Sequence, residues 1–319
     1  MKIVILDGYT ENPGDLSWEG LEALGELTVY DRTPADKIAE RIGDAEIVFT
    51  NKTPISAETI AACKNIKFIG VLATGYNVID VAFARERGIP VCNVPGYSTV
   101  SVAQHVFALL LEITNHVGSH SDSVHAGKWA ACADFCYWNY PLIELCGKTL
   151  GIIGYGSIGK AVAKIAAAFG MKVLVCATHV DPSQETESIH YASRDEIFAG
   201  ADVITFHCPL FPETQGMVNR DSIAKMKDGV ILINTARGPI VVDEDVVEAV
   251  KSGKIYAYAA DVVSVEPIRP DNPLQGVDNI ILTPHIAWAP RESRQRLMDV
   301  TVSNLKAFLA GEPVNVVNK

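Results

Sequence analysis

Nothing in this sequence is long and apolar enough to span a bilayer. The most apolar patch, "VFALLLEI" at 106–113, falls far short of the roughly 20 residues that a spanning helix needs. A basic excess is missing too. Lys and Arg number 27 against 38 Asp and Glu, a formal net charge of −11. That balance excludes a non-specific grip on nucleic acid or on an anionic membrane and leaves room only for a local basic pocket. Cysteines are few and show no pairing pattern. The seven, Cys63, Cys92, Cys132, Cys136, Cys146, Cys176 and Cys208, are odd in number and irregularly spaced, and Cys132 and Cys136 lie four apart rather than in a C-x-x-C pair. Reduced thiols are expected, and neither a disulfide framework nor a zinc site is; no metal is expected at all. There is no low-complexity segment and no short repeat. The opening "MKIVILDGYTENPGD" has neither a signal-like apolar region nor a cleavage site, so the cytoplasm is the expected compartment.

What is present reads as two α/β domains. At 319 residues the chain is long enough for two full cores. Short apolar runs, "KIVIL", "LTVYD", "EIVFTN", "KFIGVL" and "IPVCNV", are strand-like and alternate with amphipathic segments such as "SAETIAACKN". That alternation predicts parallel sheets. After "VPGYS" one long helical stretch is expected from Ser98 to about Gly127, followed by the aromatic-rich loop "KWAACADFCYWNYP". His116, His120 and His125 lie in that stretch with no Cys or carboxylate at ligand spacing, which favours a solvated helix face. A second series follows, with strands "KTLGIIG", "KVLVCA", "DVITFH", "GVILINT", "IYAYAADV" and "NIILTPH", and the chain closes on the helix "RESRQRLMDVTVSNLKAFLAG". The expected division is residues 1–99 with 288–319 in one domain, and 100–287 inserted as the other.

"KTLGIIGYGSIGKAVAKIAAAFG" sets Gly154, Gly156 and Gly159 between an apolar strand and a helix. Gly154 suits a tight turn, Gly156 a close approach to a pyrophosphate, and Gly159 close helix–strand packing, while the helix start attracts phosphate charge. G-x-G-x-x-G alone is a weak signal; with the strand before it, the helix after it and a further strand at 171–177, it reads as a dinucleotide loop that includes Ser157 and Ile158. The acid expected at the end of the next strand, to hold the adenosine ribose, is missing. The strand reads "MKVLVCATHVD", so the position falls on Ala177 and then Thr178 and His179. Either Asp181 or backbone groups take over, or the preference for NAD over NADP is relaxed. No Arg or Lys stands beside the position in the chain.

Three ionisable residues stand where later strands end. "LTPHIAW" puts His285 after a proline in an apolar run. A histidine there is more often a satisfied core side chain than a functional one. Arg237 follows "GVILINTA", where a packing ion pair is the plain alternative, and Glu266 follows "AADVVSV", where a surface loop carboxylate is. Ligands of open parallel sheets bind beyond the carboxyl ends of the strands. Jointly, beside a dinucleotide loop, the three point to one acid–base site.

These stretches resemble the NAD-dependent D-2-hydroxyacid dehydrogenase family. "GIIGYGSIGKAVAKIAAAFGM", "HCPLFPETQGMVN", "MKDGVILINTARGPIVVDEDVVEAV", "AADVVSVEP", "TPHIAW" and "ATGYNVIDVAFARERGIPVCNVPGYSTVSVAQH" cover nearly the whole chain in the family's order. The resemblance implies two flavodoxin- or Rossmann-like domains around a cleft, the cofactor domain inserted in the substrate domain, and a homodimer joined largely through the long helix after Ser98. It implies NAD as cofactor and a small 2-oxo or 2-hydroxy acid as substrate; the missing acid at Ala177 adds the expectation that NADP is tolerated. Arg237 would clamp the substrate carboxylate and polarise the C2 carbonyl, His285 would exchange a proton with the C2 oxygen, and Glu266 would hold the imidazole. Thr74 and Gly75 would take the carboxylate from the first domain. His207, Cys208 and Pro209 would line the cofactor, and Thr235, Ala236 and Asp261 would flank the nicotinamide.

Within the family, formate dehydrogenases carry Gln in place of the Glu partner, and many phosphoglycerate enzymes add a C-terminal regulatory domain; Glu266 and the ending at Lys319 turn the expectation away from both. "TNKTPIS", "YWNYPLIELCGKTLGIIG" and "TPHIAWAPRESR" most resemble the glycerate dehydrogenase (hydroxypyruvate reductase) branch. Hydroxypyruvate and D-glycerate are therefore expected, with glyoxylate as a secondary substrate and Lys52 as a substrate contact, against the plain alternative of a solvated lysine. Other D-2-hydroxyacid dehydrogenases, of D-lactate or phosphoglycerate type, stay open. So do nucleotide-sensing transcriptional corepressors of this fold, which keep the Arg, Glu and His.

Overall fold

A computed structural model describes residues 1–319. The chain forms two compact units, Met1–Ser98 with Trp288–Lys319, and Thr99–Ala287. Each is built on one wholly parallel sheet.

The first unit holds β1 (Lys2–Ile5), β2 (Glu26–Val29), β3 (Ile47–Thr50), β4 (Phe68–Val71) and β5 (Val91–Cys92), in the order β2-β1-β3-β4-β5. The apolar runs "IVFT" and "FIGV" are buried along their whole length, as a central strand covered on both faces must be. The last helix, Arg291–Leu309, packs on this sheet: Leu297 and Leu305 are buried in the same cluster as Phe49 and Phe68. Arg294 ties that helix to the N-terminal loop through a two-pronged pair with Asp15, both contacts at 2.7 Å.

The second unit holds β6 (Thr149–Ile153), β7 (Lys172–Cys176), β8 (Ile189–Tyr191), β9 (Val203–Phe206), β10 (Val230–Asn234), β11 (Ile255–Ala260) and β12 (Ile280–Leu282). Their order is β12-β11-β10-β9-β6-β7-β8. The chain builds outward from β6 to β8, then returns to β9 on the other side of β6. The switch point, where ligands of such sheets bind, therefore lies between β6 and β9. Register aligns Leu282, Ala260, Asn234, Phe206, Ile153 and Cys176 in one row across six strands. Everything expected of the dinucleotide and acid–base site follows directly after this row.

Two local features differ from expectation. β8 is unannounced, because "IHY" has no apolar run; it forms by pairing at the edge with β7. The long helix is two: Thr99–Asn115 and Val117–His125, broken at His116, which takes a left-handed φ of 47°. The first helix is apolar enough to bury one face and the second buries no residue, so packing holds only the first to its line. Of the three histidines, His125 is exposed as a solvated face requires, but His116 and His120 are not part of such a face. His116 stacks on Tyr140 at 4.4 Å. His120 Nδ1 donates to the His116 carbonyl at 2.8 Å while its Nε2 accepts the Asn139 N–H at 3.1 Å. They pin the aromatic loop.

Gly70 shows how tightly the first sheet is packed. It pairs with Phe49 across β3 and β4, and a Cβ there would lie 2.2 Å from the Phe49 ring. Gly70→Ala should cost about 1–3 kcal/mol through overpacking, read by denaturant unfolding. Adding Phe49→Leu should recover part of that loss; a double variant no more stable than Gly70→Ala would disprove the ring clash as cause.

Candidate active site

The glycine loop leaves β6 at the switch point. Gly154 has φ 103°, and a Cβ on it would sit 2.5 Å from the Cys208 nitrogen. Only glycine allows β6 to end against the start of the loop after β9. A Cβ on Gly159 would lie 2.2 Å from the Gly154 carbonyl oxygen, so the helix Ser157–Ala168 can press onto the turn only without one. Gly156, by contrast, faces open space, directly ahead of the helix N-terminus with Ser157 and Ile158 as its first residues. Space in front of unbonded helix N–H groups is where a pyrophosphate is held.

Beside it, two buried polar atoms lack a protein partner: His207 Nδ1 and Thr235 Oγ1. They follow β9 and β10, which are neighbours in the sheet. His207 Nε2 meets Thr205 Oγ1 at 3.0 Å, and burial pushes the imidazole down to about 3, so the ring is neutral at any working pH. Burial also raises the Cys208 thiol, leaving a small apolar wall before Pro209. Buried polar groups without partners are uncommon, and two together at a switch point suit a polar ligand. A nicotinamide dinucleotide fits these residues.

Toward the other end of the row, past β11 and β12, stands the acid–base pair. His285 Nδ1 lies 2.6 Å from Glu266 Oε2, with the two side chains 32% and 37% exposed. Glu266 Oε1 accepts the Val263 N–H, so the carboxylate is held at both ends. Its acceptance at Nδ1 fixes the proton there and leaves His285 Nε2, which has no protein partner, to exchange a proton outside. His285 is therefore not a satisfied core histidine.

Arg237 makes no ion pair; its Nη1 donates to the Ala236 carbonyl at 2.7 Å. The packing role that its sequence context allowed is absent. Asn234 shapes its loop from below, accepting from Ala236 N and donating to the Arg237 carbonyl. Gly238 brings that loop against the one carrying Glu266: a Cβ would overlap the Val263 backbone at 1.9 Å.

Asp261, expected beside the nicotinamide, carries a further task. It is 1% exposed. Its Oδ1 accepts Thr283 Oγ1 at 2.6 Å and Ile286 N at 2.8 Å, and Oδ2 accepts Ala287 N at 2.8 Å. Thr283 commits its one hydroxyl proton to Asp261, so His105 Nε2 is the donor in its 3.0 Å bond to Thr283. The turn that presents His285 at φ 55° thus hangs on one carboxylate. Sequence reading missed Asn234 and His105 as supports; the polar residues flanking each strand end were the only signal.

Ala177 and Thr178 follow β7 directly. Asp181, the alternative to the absent acid, caps its own turn at 182–184: its oxygens take Ser183 N, Ser183 Oγ and Gln184 Nε2. In the first unit, Asp7 binds the N–H groups of Asn51, Lys52 and Thr53 at 2.6–2.8 Å and so fixes the loop that carries Lys52. Thr74 is anchored through its hydroxyl to Val94 O, while the N–H groups of Thr74 and Gly75 donate to no protein acceptor.

A dinucleotide cradle at a switch point, with a proton carrier and a bare guanidinium on strands of the same sheet, defines a nicotinamide-dependent dehydrogenase. Residues 107–287 match the family model of the D-isomer specific 2-hydroxyacid dehydrogenase NAD binding domain. A hydroxypyruvate reductase of Blautia hydrogenotrophica is 60% identical over the whole of both chains. A glycerate dehydrogenase of Methylorubrum extorquens is 42% identical over 88% of each. The crystal structure of the TT0316 protein from Thermus thermophilus superposes with a TM-score of 0.87 at 34% identity, over 99% of this chain and 100% of that one. The chain belongs to the D-2-hydroxyacid dehydrogenase family.

Asp261→Ala would strand three donors, two of them backbone groups of the His285 turn. Stability should fall by about 3 kcal/mol and turnover by roughly 100-fold through misplacement of His285. Unfolding and steady-state assays on one preparation check both; unchanged turnover would separate Asp261 from the histidine.

Proposed function

We propose that the protein reduces hydroxypyruvate to D-glycerate with NAD(P)H, and accepts glyoxylate, which only lacks the hydroxymethyl group, as a secondary substrate. The observation that carries this is the 2.6 Å His285–Glu266 pair at the end of β12, beside the unpaired Arg237 at the end of β10. The names of the two curated relatives describe the two directions of one reaction.

The bound dinucleotide supplies the hydride. His285 gives its Nε2 proton to the C2 oxygen as that oxygen gains charge, and takes it back when glycerate is oxidised. Glu266 keeps the Nδ1 proton in place and faces the imidazolium with a negative charge, holding the ring through both halves of the cycle. Arg237 binds the substrate carboxylate with its planar fork and draws electron density from the neighbouring carbonyl. The free N–H groups of Thr74 and Gly75 bind that carboxylate as well, and Lys52, on its Asp7-clamped loop, meets the substrate's hydroxyl end. Gly154, Gly156, Ser157, Ile158 and Gly159 hold the pyrophosphate. His207, Thr235 and Ala236 line the dinucleotide with Cys208 and Pro209, and Asp261 borders the nicotinamide.

The protein works as a homodimer in the cytoplasm. The loop that the two helices after Ser98 support leaves Phe135 89% and Trp138 66% exposed, which suits cover by a second copy. All seven cysteines are free thiols, as a reducing compartment keeps them. No helix is long and apolar enough to cross a membrane.

Absorbance loss on mixing protein, NADH or NADPH and hydroxypyruvate tests the activity. Rapid saturable turnover supports the enzyme; tight cofactor binding with negligible turnover would favour a nucleotide sensor. His285→Ala should lower turnover by roughly two to four orders of magnitude with dinucleotide affinity nearly unchanged, and a variant above a tenth of the wild-type rate would remove the proton-carrier role. Arg237→Lys keeps the charge but loses the fork, so KM should rise and kcat fall together; a change confined to stability would make Arg237 structural.

A further inference from the structure

The adenosine end of the nucleotide site holds a cation that the linear sequence keeps out of view. Hydrogen bonding along β7 and β8 brings Ala192 N to Val175 O at 3.0 Å, so Ala192 and Ser193 run beside Cys176 and Ala177, the position of the missing ribose acid. The next residue is Arg194. Its side chain is exposed and forms no ion pair or hydrogen bond. Its guanidinium is near enough to Cys176 to work against the rise that burial imposes on that thiol.

Every carboxylate around it is already engaged. Asp181 caps its own turn, and Lys160 lies close enough to offset its charge. Glu185 accepts the Tyr191 N–H. Glu196 closes the capping box with Ser193, and Asp195 turns to Lys225. Past β7 the chain therefore sets an unpaired guanidinium next to the segment 177–179, and each neighbouring carboxylate already has a hydrogen-bond or ion-pair partner of its own.

We propose that Arg194 binds a phosphate on the 2′ position of the adenosine ribose, so that the site takes NADPH in preference to NADH. This rests on reading the glycine loop as a dinucleotide site. The physical argument is one of opposites. A carboxylate at 177 would accept hydrogen bonds from both ribose hydroxyls and repel a 2′-phosphate; Ala177 does neither, and an arginine at the helix start just past the neighbouring strand β8 supplies a two-pronged donor for the phosphate oxygens.

The test is calorimetric binding of 5′-AMP and of adenosine 2′,5′-bisphosphate, which differ only in the 2′-phosphate and need no turnover. Wild type should bind the bisphosphate at least tenfold more tightly than 5′-AMP. Arg194→Gln should remove most of that ratio while leaving the affinity for 5′-AMP within about twofold, and Arg194→Lys should restore part of it. Arg194 lies at the exposed first turn of the helix Arg194–Gly200, so an unchanged melting temperature checks that the fold is intact. A wild-type ratio near one, or a ratio that Arg194→Gln leaves untouched, overturns the proposal. Equal weakening of both ligands overturns it too, by making Arg194 structural. If 5′-AMP itself does not bind, the dinucleotide reading fails rather than the phosphate assignment alone.

Discussion

Asp261 carries a negative charge into a place that solvent barely reaches, and a carboxylate there is tolerable only because the following turn aims its donors at it. The arrangement works both ways. The turn at 283–287 would otherwise bury backbone N–H groups without acceptors, and Asp261 would otherwise be an unpaired buried charge. Each removes the other's cost, and the result is a rigid short segment with His285 at a backbone angle that few non-glycine residues adopt. Glu266 then needs only to meet Nδ1, and the free nitrogen of the ring is oriented without any contribution from substrate.

The same economy of position runs along the whole edge of the second sheet. Parallel strands in register end together, so a residue two or three places past one strand end stands beside its counterpart past the next. Close backbone approaches then narrow the choice further. Gly154 lets β6 end on the loop after β9, and Gly238 lets the arginine loop lie against the glutamate loop. In each case a single methyl group would drive apart two segments whose nearness is the site. Glycine here acts by what it does not occupy, which is why these positions work as structural joints and not merely as flexible turns.

Polarity is distributed with equal care. His207 is neutral because it is buried, His285 is half-exposed and paired, and Arg237 is left without a carboxylate. A neutral donor-acceptor beside the dinucleotide, a proton carrier with one nitrogen tethered, and a cation with an open fork have different tasks, and their surroundings differ accordingly. At the adenosine end the pattern reverses the usual one: the acid is absent, the nearby acids are occupied, and a cation stands open.

Much of this was legible in the amino-acid order. Eleven of the twelve strands, the glycine loop and the Arg, Glu and His carry local signals: unbroken apolar runs for strands buried on both faces, and a strand–glycine–helix sequence whose geometry only a few residues permit. These are short-range properties, so sequence by itself determined them. Tertiary structure alone decided the rest. β8 exists because β7 offers it an edge, not because "IHY" favours extension. The helix after Ser98 breaks at His116 because packing against the core stops there and the aromatic loop, some twenty residues on, supplies Tyr140 as a stacking partner. Asp261 became an anchor, and Arg194 a neighbour of Ala177, through pairing between strands that lie well apart along the chain. Contacts of that kind depend on register and strand order, and no window of sequence contains them.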